Sequence, residues 1–398
     1  MKDSVRVPIA LQVVVDDFGW HNGKNGLADS RPARTGINRN HVLEDYVVMN
    51  EIGKKVGMKI VCGFTIGEWD KDNVLRGMEH ATWDEENWDR ASEINYDLAK
   101  KCFDQLEKSD YIELAFHGLM HGYWVNGENY GNPREFFSYD IPLDTKERKV
   151  NYPVKPVPAS YVDEHLEAYF KIYNSWGFSQ KIRTFIMPAS LYKDVDTVIE
   201  YASVAEKYGI KYWKNYWGEL NGATTMLNSI VFLNTRGGDM VEWYEIDVEP
   251  EQLDDKVYNT SDPNEPAGFA ILGSHWPNFL SSDPSKNLEN VEKWANYLNR
   301  QKEVFGYMLS KDIAFAASQI LYHTYLNINF NENECIIDAS DVDKQDAAEL
   351  SNEFYISIKN DLQVKECIGA DFEVYENHNE FTTYKLTRKD TGLIKLIF

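Results

Sequence analysis

Four cysteines are all that 398 residues contain, and no two of them (Cys62, Cys102, Cys335, Cys367) stand in C-x-x-C spacing. That excludes a zinc ribbon or a thioredoxin-like redox motif. Reduced thiols are expected, with Cys335–Cys367 the one bridge left open. Positive charge is scarce too: 41 Lys and Arg against 64 Asp and Glu give a formal net charge of −23. A phosphate backbone needs a basic face, so nucleic acid is not an expected partner, whereas a neutral or cationic substrate is allowed. No apolar run approaches the ~18 residues of a transmembrane helix, so no membrane partner is expected. Met1-Lys-Asp-Ser leads directly into the first expected strand without a signal peptide; a cytoplasmic protein and a secreted one whose signal was removed both fit. Tryptophan is missing from the C-terminal region, since all eleven lie at or before Trp294. That region has no Trp platform for stacking a sugar and is expected to be a packing module.

What is present is a proper core composition, 43% hydrophobic, arranged as alternating strand and helix patterns. Seven apolar runs read as strands: Ile9–Val15, Lys59–Thr65, Ile112–Phe116, Ile182–Met187, Ile210–Trp213, Ser229–Asn234 and Phe269–Leu272. Helical periodicity falls between them, over His41–Val56 (closed by Gly57), Asp89–Leu106, Val162–Trp176, Val195–Tyr208 and Leu288–Leu309. The alternation predicts an α/β fold, a parallel (β/α) barrel of seven or eight strands, complete or missing one, over residues 1–322. An open parallel sheet is the alternative. From residue 323 to 398 short alternating runs such as Phe354–Ile358 and Phe381–Leu386 predict a small antiparallel β domain. The Gly/Asn/Tyr/Pro-rich stretch Gly122–Ser160 has no clear period and is expected to be a substrate-facing loop or lid.

Chemistry-bearing residues gather at the expected strand ends. Asp16 and Asp17 follow the first strand, and the third runs directly into His117-Gly-Leu-Met-His121. In a parallel sheet all strand C-termini open on one face, where active sites are built. One Asp and two His form a three-ligand set for a divalent metal that leaves a position for water, and the spare Asp can serve as a base. Read singly, an Asp-Asp pair is a turn or cap, and His-x-x-x-His is two residues on one helix face. Glu68 and Trp69 follow the second strand, and Glu68 could pair with Asp17 as the two carboxylates of a glycosidase. Trp20, Trp124, Trp217 and Trp276 also stand beside strand ends, as candidate sugar platforms or as core residues. His21 and His41 carry no spacing argument and are expected at the surface or in caps.

The order of Asp16-Asp17, His117-x-x-x-His121, Met187-Pro188-Ala189-Ser190 and Leu272-Gly-Ser-His275 resembles the NodB-type polysaccharide deacetylases of the glycoside hydrolase/deacetylase barrel superfamily, from about residue 5 to 320. The resemblance implies Asp17, His117 and His121 as metal ligands, zinc being the expected divalent transition metal. It also implies Asp16 as catalytic base and His275 as acid, acting on an N- or O-acetylated saccharide. The chain departs from the family where an Arg should stand two residues before Pro188: that position is Ile186, the nearest Arg183 lies mid-strand, and Arg236 is left as a candidate partner for the base. Arg236 joins Glu68, Trp69, Trp124 and Trp276 as candidate substrate contacts. Two other classes stay open: a glycoside hydrolase using a carboxylate pair on the same scaffold, and a carbohydrate-binding protein without catalysis. Oligomeric state is not expected from any of these features.

Overall fold

Nine-residue and shorter apolar strands separated by amphipathic helices are what the chain folds into. The computed structural model describes residues 4–23, 37–125, 128–129, 135–139, 154–188, 195–216, 225–235, 245–253, 269–305, 308–331 and 333–398. Seven strands carry the site: β1 (Ala10–Phe18), β2 (Ile60–Phe64), β3 (Ile112–Phe116), β4 (Thr184–Ile186), β5 (Tyr212–Tyr216), β6 (Ile230–Thr235) and β7 (Phe269–His275). Every neighbouring pair in that order is parallel, and β7 pairs in parallel with β1, so the circuit of pairings returns to its start. Thr225–Leu227 adds an antiparallel strand beside β6, and Met308–Leu309 pairs with β1.

Strand phase divides the core in two. Val13 and Val15 of β1, Cys62 of β2 and Leu114 and Phe116 of β3 pack with the helices α1 (Leu43–Val56), α2 (Tyr96–Lys108) and α3 (Ala159–Trp176). The alternate residues Val14, Val61, Ala115, Ile186, Tyr212 and Ile271 belong to a second cluster with residues of the C-terminal strands. This is the period-two alternation of a strand buried on both faces. Between α4 (Val195–Lys207) and the C-terminal strands come α5 (Asn287–Phe305) and α6 (Ile313–Tyr325). The expected helices form, with three differences. The one expected through Leu309 ends at Phe305, and Met308–Leu309 is a strand. The segment expected as one helix from Asp89 breaks at Ile94, because the Asn95 side chain accepts from Leu98 N and starts a new helix as its N-cap. α6 escaped pattern analysis because it is apolar nearly all round, as suits a helix buried on several sides.

The C-terminal region forms antiparallel sheets. Strands Asn327–Phe330, Glu334–Asp338, Glu366–Ile368 and Ile394–Ile397 make one; Glu353–Lys359, Ala370–Asn377 and Phe381–Arg388 make the other, joined by Val5–Arg6 from the N-terminus. Glu349 meets Arg183 just before β4, and Lys211 and Tyr212 at the start of β5. The C-terminal region thus contacts the N-terminal ends of the strands, opposite the ends that bear His117. Cys335 and Cys367 both stand opposite Leu396, one on either side. Two strand spacings, about 9–10 Å, exceed the reach of a disulfide, and all four cysteines are free thiols. Among the described residues no helix is long and apolar enough to cross a membrane.

Asp45 ties the first helix into this frame. Its buried carboxylate accepts from Val42 N (3.0 Å), from both terminal nitrogens of Arg39 (2.7 and 2.9 Å) and from Asn287 Nδ2 (2.8 Å), and lies 3.0 Å from His41 Nδ1. Burial alone would raise its pKa, but the hydrogen bonds and charges of Arg39 and His41 outweigh burial and hold it well below the usual carboxylate range. Because the folded-state pKa is depressed, this stabilisation is complete above the unfolded value of about 3.9 and is lost as pH falls below it. Asp45→Ala is expected to cost about 3–5 kcal/mol at neutral pH, and the gap from wild type should narrow in thermal melts taken from pH 6 down to pH 3.

Candidate metal centre

Consecutive residues of a strand point to opposite faces, so Asp16 and Asp17 could not both enter one site from a regular strand. A bulge resolves this. Val15 pairs with Cys62 and Phe18 with Phe64, three steps on β1 against two on β2. The extra residue re-aims the chain, as bulges beside functional sites do. Asp16 keeps the phase of Val14, whereas Asp17 takes a left-handed backbone (φ 59°) and reaches the same side.

The histidines come from β3 and the turn after it. His117 continues the phase of Ala115, and Gly63 on β2 leaves room for it: a Cβ there would stand 3.1 Å from both His117 Cβ and Cγ. Its Nδ1 donates to Ile186 O on β4 (2.9 Å), which leaves Nε2 as the bare nitrogen. That Nε2 is buried and makes no hydrogen bond. It faces Asp17 Oδ1 at 3.4 Å, and His121 Nε2 lies 3.4 Å from the same oxygen. Burial opposes an imidazolium at His117, but Asp17 and Asp16 outweigh it and hold the pKa above the ordinary histidine value. A metal there competes with a proton.

The geometry fits a metal. One ligand atom from each of Asp17, His117 and His121 lies within 4.8 Å of the other two. Ligands at about 2.0–2.2 Å in a tetrahedron stand about 3.3–3.6 Å apart, which matches the two 3.4 Å separations. All three residues are buried, and a neutral imidazole nitrogen without a hydrogen bond is the donor such an ion needs.

Asp16 has a cation of its own. Lys214 on β5, buried and in phase with the inward Tyr212, donates from Nζ to both carboxylate oxygens at 2.8 and 2.9 Å. Arg183 is engaged elsewhere, with Glu113 and Glu349, and Arg236 lies outside the described residues. His275, only partly buried, pairs in register with Asp16 across β1 and β7, so the candidate base and acid stand on adjacent strands.

The expected substrate contacts fare differently. Glu68 is buried and its oxygens accept from His21 N (2.6 Å), Asn22 N (2.8 Å) and Asn22 Nδ2 (2.7 Å). It anchors the loop after β1. Trp69, Trp124 and Trp276 are fully buried, as is Trp20, and none presents a face to solvent. Trp69 donates to Gly19 O (2.7 Å), and Trp276 stacks on His41 with ring centroids 4.1 Å apart. His21 and His41, expected at the surface or in caps, are both buried in this aromatic layer, His41 directly before the N-cap Val42 of α1 with its ring on Asp45. Trp217, the 189–190 end of the Pro188 motif and much of the 122–160 stretch lie outside the described residues.

No family model and no curated protein matches this chain. Among solved structures it is similar to a GH57-type branching enzyme from the hyperthermophilic archaeon Pyrococcus horikoshii, at 12% identity over 77% of this chain and 69% of that one, with a TM-score of 0.38. A 4-alpha-glucanotransferase from Thermococcus litoralis is 13% identical over 77% of this chain but only 39% of its own length, at a TM-score of 0.34. The alpha-amylase AmyC from Thermotoga maritima is 9% identical over 78% of this chain and 68% of that one, at 0.28. Likenesses this distant assign neither family nor activity; none of the three is named as a deacetylase.

The buried ion pair makes a direct prediction. Lys214→Met removes the lysine from a buried carboxylate and is expected to cost about 3–5 kcal/mol. Added to Asp16→Asn, the same change should cost clearly less, so urea melts of both single variants and the double should give a non-additive cycle.

Proposed function

We propose that the chain is a metal-dependent hydrolase on a seven-stranded (β/α) barrel, removing an acyl group from a sugar amide or ester. The observation that carries this is Asp17 Oδ1 at 3.4 Å from the Nε2 atoms of both His117 and His121, with the Asp16–Lys214 pair beside it. The saccharide and the acetyl group rest on the motif resemblance to NodB-type deacetylases. Asp17, His117 and His121 would hold the ion, zinc first among the divalent transition metals. Bound there, it would supply Lewis acidity and lower the pKa of water toward neutrality.

The chain's own residues supply the rest. Lys214 orients the Asp16 carboxylate through both oxygens, and each oxygen has a second lone pair with which to accept a proton. His275, the more exposed of the pair, is placed to deliver a proton to a departing amine or alcohol. The lysine offsets the cost of keeping two adjacent buried carboxylates charged.

Elemental analysis of protein purified without chelator is expected to find about one equivalent of a transition metal, and none after His117→Ala. Asp16→Asn should keep the metal yet slow acetate release from acetylated saccharides by about 10²–10⁴-fold. Cleavage of glycosidic bonds by metal-free protein would replace this function with that of a glycoside hydrolase. Neither metal nor turnover would leave a carbohydrate-binding protein.

A further inference from the structure

His121 is held in a backbone conformation that a histidine seldom adopts, with φ at 54°. Such strain persists only where surrounding contacts enforce it. The contacts come from one buried carboxylate. Glu135 accepts from Leu119 N through both oxygens (2.8 and 2.9 Å) and from His121 N through Oε2 (2.8 Å). These are two amides of the turn that separates His117 from His121. The carboxylate is fixed in turn by His165 Nδ1 on α3, at 2.6 Å from Oε1. Glu135 and His165 are both fully buried. Gly118 completes the fit: its φ is 81°, and a Cβ at that position would stand 2.3 Å from Glu135 Oε2.

We propose that Glu135, braced by His165, is the positioning residue of the metal centre: it folds the 117–121 turn so that His121 becomes the third ligand. The inference rests on the metal-binding function above. Without the carboxylate, the Leu119 and His121 amides lose the acceptor that folds the turn, and Asp17 and His117 remain as a two-ligand site. The demand on Glu135 is geometric. A glutamine can present its carbonyl oxygen to the Leu119 and His121 amides and its NH2 to Nδ1 of the other His165 tautomer. That NH2 then meets the Leu119 N–H as donor against donor, where the carboxylate accepted it. Glutamine therefore keeps the reach and loses part of the acceptor set.

The test measures Zn2+ affinity by competition with a chromophoric chelator, and the visible spectrum of the Co2+-loaded protein, for wild type, Glu135→Ala and Glu135→Gln. Glu135→Ala is expected to weaken Zn2+ binding by about 10–100-fold and to lose the intense tetrahedral Co2+ bands. Glu135→Gln, which keeps the reach but not every acceptor, should fall between wild type and Glu135→Ala, in keeping with the role of outer-shell hydrogen bonds in orienting ligands. If Glu135→Ala does not fold, His165→Leu makes a milder version of the test, since it removes the brace of the Glu135 carboxylate and leaves the 117–121 turn's own residues unaltered. Wild-type affinity and spectrum in the variant that folds, even with a lowered melting temperature, would show a merely structural role and overturn the proposal. Failure of the wild-type protein to bind Zn2+ or Co2+ would overturn the metal centre itself.

Discussion

The bulge between Val15 and Phe18 decides where Asp17 points, and so whether both carboxylates face one site. A regular strand would send Asp16 inward and Asp17 into the aromatic layer under α1, where Tyr46 packs edge to face on both Phe18 and Trp276. One extra residue and one left-handed φ place Asp17 opposite His117 instead. The same device recurs at His121, whose left-handed backbone is stabilised by hydrogen bonds to its turn. Two of the three candidate ligands therefore sit in sparsely populated backbone conformations. That is how strain is distributed at functional sites, with the surrounding scaffold supplying the compensation.

Electrostatics imposes the second constraint. Two adjacent carboxylates buried together repel, and burial penalises each. The site offsets this locally rather than through the chain's overall charge, which is strongly negative. Lys214 meets Asp16, and two imidazoles meet Asp17. The cation arrives from β5 rather than β4, because the circuit of strands brings β5 to the same inner space.

The tryptophans show where local sequence misleads. Trp69, Trp124 and Trp276 stand next to strand ends, a position compatible with a sugar platform. Burial of a large ring against helices satisfies the same position equally well. Trp276 stacks on His41 and Trp69 packs edge-on to Phe64 and Trp176, which is core packing in an aromatic-rich protein. Glu68 follows the same logic. Its place after β2 was legible, but its three short hydrogen bonds to His21 and Asn22 were not, because they depend on how one loop folds over another.

Strand phase and strand-end chemistry were determined by the sequence itself. Apolar runs of four to seven residues, each followed by polar residues, place Asp17, His117 and His275 at C-terminal ends without any knowledge of the fold. His165 had a local signal as well, since it shares the apolar stripe of α3 with Val162, Leu166 and Tyr169. What only the tertiary structure decided is the choice of partners. Asp16 finds a lysine 198 positions away, and Glu135 reaches from an aperiodic stretch into the turn between two ligands. Periodicity reports which face of an element is buried; it carries no information on which distant side chain completes a charge pair, because that depends on the order in which strands are laid side by side.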